Sequence, residues 1–545
     1  MTITLPRALR TYQYRALTVF SMLDTDTDRV LPHLFELCVK GGRSGRSLTD
    51  ARDYGTYRDR LLENGFVVGF DEADDRALLD GWLRSCVVDM GTFGRSRAGA
   101  QMLAVAPLTL AAYRAGLPTR RDRHRGIDEF VYRLLLAEIA RRGSRARRAD
   151  LRELVARAVG HGLTIGPEPR WEPQLEDPTR LDISALLEFR FVEGFAMSDA
   201  REIDGLLSES PLPGVSADIG ATLLAHIRVY GERLPTQALM SSFAALLATS
   251  VFSFSLRADA AARELLRTME LPIDMSDPAP ASPLELYCDM TGDLGAESDG
   301  LARRCVERDL DRVRLAFRDR MTFVVVKNAL TRMPDEQDRR KVLSRPEQLA
   351  QLASLREHRR VESYAEGRID DLVAEAAESE AVTDTEMEFL RQTQGGHGSE
   401  LSKLLDILQF VNQTRATRNA VNWYWSVGGL QKPYGMLDGS LRSRRSWRYA
   451  PSDELITALL LAVFVRPDGA TYRPSMPLRN VLDALRSRFG ILIDRPPAFL
   501  DGAETRSAAA ANLEAFKRRL QLLGCFDSLS DDFSVQVVRH PLGDS

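Results

Sequence analysis

The sequence predicts a mainly α, multi-domain protein with winged-helix-like modules at both ends. Three observations carry this reading. The chain has 545 residues, which at about 100–200 residues per domain implies roughly three to five structural units. Apolar residues, 44% of the total, recur at helical spacing along most of the chain. The order helix, helix, helix, strand pair then occurs twice, once near each end.

Residues 1–117 read as the first module. Val30, Leu31, Leu34, Phe35 and Leu37 share a helical face, and Gly41-Gly-Arg-Ser-Gly-Arg-Ser breaks the chain before a second helix near Leu48. A third helix stops at Asn64-Gly65, and an apolar run, Phe66-Val-Val-Gly-Phe, extends beyond it. Residues 118–166 form a basic helical segment. Arg120, Arg121, Arg123 and Arg125 precede a helix over 127–142, which ends in Arg141 and Arg142 and is followed by Arg145, Arg147 and Arg148.

Residues 167–334 read as a solenoid- or bundle-like helical domain, interrupted at Pro211-Leu-Pro-Gly, at Leu234-Pro and between residues 272 and 300. No fixed period marks a named repeat. Trp171, Phe189, Phe191, Phe252 and Phe254 are read as core aromatics. Residues 335–420 form a charged helical arm in which Glu366, Asp370, Asp371, Glu375 and Glu378 recur on a helix. This arm could dock on the basic segment, bind a basic partner, or present a solvated face.

Residues 421–545 form the second module. Asn422-Trp-Tyr-Trp-Ser-Val-Gly-Gly precedes an arginine-rich loop with Arg442, Arg444, Arg445 and Arg448. Ser452 caps an apolar helix over 455–465, and helices over 478–489 and 509–523 follow, the last stopping at Gly524 and carrying Lys517, Arg518 and Arg519. Two short strands then flank the turn that holds Asp531-Asp532.

Composition excludes several classes. Net charge is −4, so any polyanion contact must come from local clusters. Only six of 73 basic residues are lysine, which makes arginine the default cation and weakens any argument from arginine richness alone. The five cysteines, Cys38, Cys86, Cys288, Cys305 and Cys525, form no C-x-x-C pair, and the seven histidines lie far apart. Neither a disulfide framework nor a zinc site is indicated. The apolar stretches Ala238–Leu256 and Leu455–Val465 are broken or short and read as buried helices. With no export signal at Met1-Thr-Ile-Thr-Leu-Pro-Arg, the expectation is a cytoplasmic protein that does not engage membrane.

No catalytic signature is present. Gly41-Gly-Arg-Ser-Gly-Arg-Ser lacks the Gly-Lys-Ser/Thr ending of a phosphate loop, and Gly42-Arg-Ser-Gly is not a nucleophile elbow. No cofactor is expected. The pairs Asp370-Asp371 and Asp531-Asp532 are the candidates for a carboxylate-only magnesium site, and an exposed helix face and a turn are their ordinary explanations.

Trp447-Arg-Tyr449, Ser452-Asp-Glu-Leu455 and Arg488-Phe-Gly-Ile-Leu-Ile-Asp-Arg-Pro-Pro resemble stretches of accessory proteins from bacterial anti-phage defence islands, of the methylation-associated defence system type. The resemblance implies a place in a multi-protein operon beside a methyltransferase, nuclease or ATPase, in recognition or assembly, and carries over no active-site residue. The expected function is a non-catalytic DNA-binding and assembly component. Double-stranded DNA and the other operon proteins would be its partners, and the arginines named above with Lys517 would be its nucleic-acid contacts. The alternatives are a purely protein-binding scaffold and a metal-dependent nuclease without a recognisable motif.

Overall fold

The computed structural model describes residues 3–10, 13–25, 27–39, 41–44, 54–63, 69–84, 88–91, 101–105, 125–160, 162–165, 173–175, 179, 201–202, 210–331, 343–526 and 536–543. Arg120, Arg121, Arg123, Cys86, Trp171, Phe189, Phe191 and Asp531-Asp532 lie outside these residues, as does the run Phe66–Val68.

In chain order the elements are α1 (Thr27–Val39), β1 (Arg43–Ser44), α2 (Tyr54–Glu63), α3 (Ala73–Trp82), β2 (Val88–Gly91), β3 (Gln101–Val105), α4 (Ile127–Arg141) and α5 (Arg147–Val159). Next come β4 (Leu163–Ile165), β5 (Pro173–Leu175), β6 (Arg201–Glu202), α6 (Pro213–Tyr230), α7 (Thr236–Thr268), β7 (Leu286–Tyr287) and α8 (Glu297–Leu330). The rest are α9 (Arg345–Ser354), α10 (Arg359–Glu378), α11 (Asp384–Gln394), α12 (Glu400–Val427), β8 (Leu437–Ser440), β9 (Ser443–Tyr449), α13 (Asp453–Phe464), β10 (Ser475–Pro477), α14 (Leu478–Phe489), β11 (Ile491–Leu492), α15 (Ala503–Leu522) and β12 (Val537–Arg539). The protein is mainly α, and among the described residues each sheet has two strands.

The architecture is organised around α7. Its middle, Phe243-Ala-Ala-Leu-Leu-Ala-Thr-Ser-Val-Phe-Ser-Phe-Ser-Leu, is apolar or small on every side, and such a helix has no solvent face to offer. It is long and apolar enough to cross a membrane, yet its most apolar stretch is 89% buried inside the fold. Helices α1, α6, α8, α12 and α13 pack around it. Phe35 of α1 meets Phe243, Phe20 and Phe130 meet Phe254, and Trp423 of α12 stacks on Phe252 at 5.7 Å. Phe252 and Phe254 are therefore core, as expected.

Two buried ion pairs fix the C-terminal third of α7. Arg320 of α8 holds Asp259 through both nitrogens (3.1 and 2.6 Å), and Arg257 holds Asp274 at 2.6 Å.

The N-terminal segment shares this core. α1 packs on α4, α5 and α7, Tyr14 stacks on Phe323, and Thr25 N–H donates to Ser426 Oγ at 3.0 Å. The described elements there are α1, β1, α2, α3 and the antiparallel pair β2·β3; α2 is the helix expected to stop near Asn64, and α3 is unexpected. The strand pair follows the helix over 73–82 and not the apolar run after Gly65.

Among the described residues the acidic arm is seated on α8, α11 and α12 and not on the basic segment. Val361, Ala365, Ile369, Leu372 and Ala376 make a buried stripe on α10, and α10 packs on α8, α11 and α12. Glu366, Asp370, Asp371, Glu375 and Glu378 remain exposed, the outcome of a helix amphipathic enough to seat itself by its apolar side. The boundary expected after residue 420 falls inside α12, which runs unbroken from Glu400 to Val427.

At the C-terminal end the expected caps are in place. Ser452 Oγ accepts from Leu455 N–H at 3.1 Å, and α14 ends at Gly490 with φ 72°. A side chain there would collide with Leu284 at 2.5 Å. β10 pairs antiparallel with β12, and Phe526 bridges Val538 on the other edge of β12.

β11 pairs in parallel with β7. Buried Asn512 of α15 clamps this junction: its Nδ2 donates to Cys288 O (2.9 Å) and Ile493 O (3.0 Å), and its Oδ1 accepts from Met290 N–H (2.7 Å).

Buried His540 closes the module. Its Nδ1 accepts from Leu542 N–H, which places the ring proton on Nε2, toward Tyr230 Oη at 2.9 Å. The Tyr230 hydroxyl donates to Leu461 O at 2.9 Å.

Asn512→Leu strands one N–H and two carbonyls, and is expected to destabilise the protein by about 2–4 kcal/mol, read as a lower urea midpoint. Burial lowers the pKa of His540 from 6.5 to about 4. The unfolded chain therefore takes up a proton that the folded chain refuses, and the His540 contribution to stability is lost as pH falls from 6.5 toward 4. Urea midpoints measured over that range are expected to fall less steeply in His540→Phe than in the parent.

Candidate nucleic-acid interface

The strongest exposed cluster of cations is a hairpin that leads into α13. β8 and β9 pair with Leu437 opposite Tyr449 and Ser440 opposite Ser443, with a bulge at Gly439. That glycine has φ 137°, and a Cβ on it would lie 2.7 Å from Ser446 O. The Ser446 hydroxyl braces the tip by accepting from Ser440 N–H (2.8 Å) and donating to Ser443 O (2.7 Å). Trp447 Nε1 donates to Ser440 O at 2.9 Å.

The base is anchored in the core. Trp447 stacks on Tyr424, and the Tyr449 hydroxyl sits 2.6 Å from that of Tyr424 and donates to Asp309 Oδ2 at 3.0 Å. A rigid base thus holds Arg442, Arg444 and Arg445 in solvent, and no carboxylate lies within ion-pair distance of their guanidiniums among the described residues. Arg303 of α8 donates to Arg445 O at 3.2 Å and pairs with Asp299 at 2.9 Å.

The other expected contacts divide by their partners. Arg448 is buried between Asp438 (2.6 Å) and Asp299 (3.5 Å). Arg519 is tied to Asp453 and Pro451 O, and Lys517 to Glu514 at 2.6 Å. Arg125 pairs with Asp24 at 2.6 Å. Arg141 and Arg142 fork onto the single carboxylate of Glu138. These side chains hold the fold together. Arg518 and Arg145 are exposed, and Arg147 and Arg148 are half-exposed at the start of α5.

The expected arginines do not form one patch. Arg142 Nη1 donates to Asp468 O at 2.8 Å, just past the end of α13, whereas the hairpin ends at Tyr449, just before its start. The two clusters are thus separated by the length of α13, about 18 Å for 12 residues.

Sequence reading missed a second concentration of charge. At the C-terminal end of α13 lies a cavity of about 430 Å³, to which Arg142, Arg257, Arg466, Arg473 and Arg488 contribute, with Asp218 as its one carboxylate. Arg142 reaches it across Gly469, whose φ of 61° and missing side chain leave room for the guanidinium. Arg466 and Arg473 share the turn after α13, but Arg142, Arg257 and Arg488 reach the cavity from three other elements, and no local signal joins them.

Neither a metal site nor a thiol nucleophile appears among the described residues. No three His, Cys, Asp or Glu side chains converge there. Cys38, Cys288, Cys305 and Cys525 are buried and unpaired, and burial pushes the Cys305 thiol up to about 11. Asp371 of the Asp370-Asp371 pair is held by Arg368 at 2.9 Å.

Comparison with known proteins adds the context for this geometry. A family model described as methylation-associated defense system protein MAD7 matches residues 7–542. The chain belongs to that family. The match spans nearly the whole chain, far beyond the C-terminal stretches around Trp447 and Arg488 that first suggested it. As a MAD7-family member the chain is a component of an antiviral defence system, with the other proteins of that system as partners. No curated protein and no solved structure matches it.

Within this MAD7-family fold, Arg448→Ala removes the buried cation shared by Asp438 and Asp299, leaving Asp299 to Arg303 alone at 2.9 Å, and is expected to cost about 1–3 kcal/mol. Arg444→Ala is expected to stay within about 0.5 kcal/mol of the parent. Chemical denaturation of the two variants side by side checks the division between structural and free arginines.

Proposed function

We propose that the protein is a non-catalytic, cytoplasmic, DNA-binding and assembly component of its defence system. The observation that carries this reading is the hairpin tip. Three exposed guanidiniums stand on a braced turn, with no carboxylate within ion-pair distance among the described residues. Clustered guanidiniums of this kind release condensed counterions on meeting a duplex backbone and fork bidentately onto phosphate.

The order of the C-terminal elements supports a winged-helix-like reading. Helix α13, strand β10, helix α14, the short strand β11, helix α15, Phe526 and β12 follow one another, with β10 and Phe526 on opposite edges of β12. In that reading α15 is the helix presented to the groove. Arg518 is its free cation, since Lys517 and Arg519 are engaged with acids. The hairpin arginines and Arg145, Arg147 and Arg148 then position the backbone and do not read bases.

A protein-binding scaffold is the second reading, and the exposed carboxylates of α10 favour it. They offer a solvated acidic face to a basic partner from the same system.

Fluorescence anisotropy on a labelled duplex separates the two. The expected result is salt-sensitive binding that Arg442→Ala/Arg444→Ala/Arg445→Ala weakens at least tenfold, with the log–log salt slope reduced by about 2–3. No binding at micromolar protein and low salt would leave the scaffold reading, and an unchanged slope in the triple variant would remove the hairpin from the interface.

A further inference from the structure

The cavity at the end of α13 collects more positive charge than the fold uses. Arg257 is neutralised by Asp274, and Arg142 by Glu138. Among the described residues, Arg466, Arg473 and Arg488 have no carboxylate within ion-pair distance. Arg466 Nε donates only to Tyr472 O at 3.3 Å, and Arg488 donates to Ala462 O (2.7 Å) and Thr222 Oγ1 (3.0 Å). Neutral acceptors satisfy some N–H groups but cancel no charge.

Arg488 is the most telling of the three. Surrounding protein desolvates its guanidinium and lowers its pKa, yet the residue is exposed by surface area. Both hold because the side chain sits deep in the molecule and faces a hollow. Its guanidinium feels the field of Asp218, which lies beyond ion-pair distance, so an anion in the hollow supplies the close charge-assisted contact that Asp218 does not. Deeper still, Arg257 is buried, and its Nε–H has no hydrogen-bond partner.

The size of the hollow narrows the anion. A liquid-water molecule occupies about 30 Å³, so about 430 Å³ far exceeds a bare phosphate and falls in the range of small-molecule sites. The remaining wall is mixed. Val215, Ile219 and Phe489 supply apolar surface, while Ser250, Ser253 and Thr222 supply hydroxyls. Phosphate recognition by guanidinium forks at one side and an apolar wall with hydroxyls at the other is the complement of a phosphate ester with a ring-bearing body.

We propose that this cavity is a binding site for a nucleoside phosphate, with Arg466, Arg473 and Arg488 on the phosphate groups. The same chemistry is carried by a free nucleotide and by the 5′-phosphorylated end of a DNA strand. The site is distinct from the hairpin and does not rest on the hairpin's role.

Isothermal titration calorimetry on the full-length protein tests it with AMP, ATP, inorganic phosphate, and a short oligonucleotide with and without its 5′-phosphate. At least one nucleoside phosphate is expected to bind at least tenfold tighter than inorganic phosphate. Arg466→Gln/Arg473→Gln should weaken that binding at least tenfold. Ala221→Trp, which fills the hollow and leaves every arginine in place, should abolish nucleoside phosphate binding while thermal unfolding shows the fold intact. Arg442→Ala/Arg444→Ala/Arg445→Ala should bind as the parent does. Preference for the phosphorylated oligonucleotide over AMP and ATP identifies a DNA end as the source, and the reverse preference a free nucleotide. The proposal is overturned by no heat with any phosphate ester at millimolar concentration, by inorganic phosphate binding as tightly as the nucleotides, or by affinities that the double variant and Ala221→Trp leave unchanged.

Discussion

The burial of α7 is the constraint on which the rest of the molecule depends. A helix of 33 residues, apolar or small around its whole circumference over most of its length, can be stable in water only if other elements cover every side of it. The chain meets that demand with segments far apart in sequence: α1 from the N-terminal region, α6, α8 and α12 from the middle, and α13 from the C-terminal region. Regions that look like separate modules in the sequence therefore share one core. The paired charges Arg257–Asp274 and Arg320–Asp259 add what apolar packing lacks, a fixed rotation of α7 about its axis, because a bidentate guanidinium tolerates little misalignment.

That fixed rotation also shapes the cavity. Ser250, Ser253 and Arg257 recur at intervals of three and four residues on one face of α7, and this is the face that meets the hollow. The small side chains leave space, and α6, the end of α13 and the end of α14 line its sides. Burying α7 and forming an open basic hollow are two results of the same packing arrangement.

Much of the fold was legible in the sequence because its signals are local. The N-cap at Ser452, the stop at Gly524, and the helix over 478–489 follow from capping chemistry and apolar spacing. The hairpin at 437–449 was not legible as strands. Its tip is serine and arginine with no alternation, and its pairing is imposed by Trp447 and Tyr449 docking on Tyr424 and by the Ser446 hydroxyl. The role of each arginine was equally hidden. Arg444 and Arg448 look alike in sequence, and only tertiary placement puts Asp299 and Asp438 around the second. The cavity left no trace because Arg488 joins the turn that carries Arg466 and Arg473 only when α14 packs on α13.

The positions of the two basic sites relative to α13 decide how far they act on one another. The hairpin enters this helix at its N-terminal end, and the cavity lies at its C-terminal end, about 18 Å away along the axis. At physiological ionic strength charges are screened over about 8 Å, so the separation exceeds two screening lengths, and the intervening helix is itself uncharged beyond its first turn. The hairpin arginines therefore add little to the field inside the cavity, and an anion held there does not neutralise the hairpin. A chain of net charge −4 can in this way keep two separate positive sites. Each one arises where the carboxylates have been drawn elsewhere, into the buried pairs around α7 and α8 and onto the solvated face of α10.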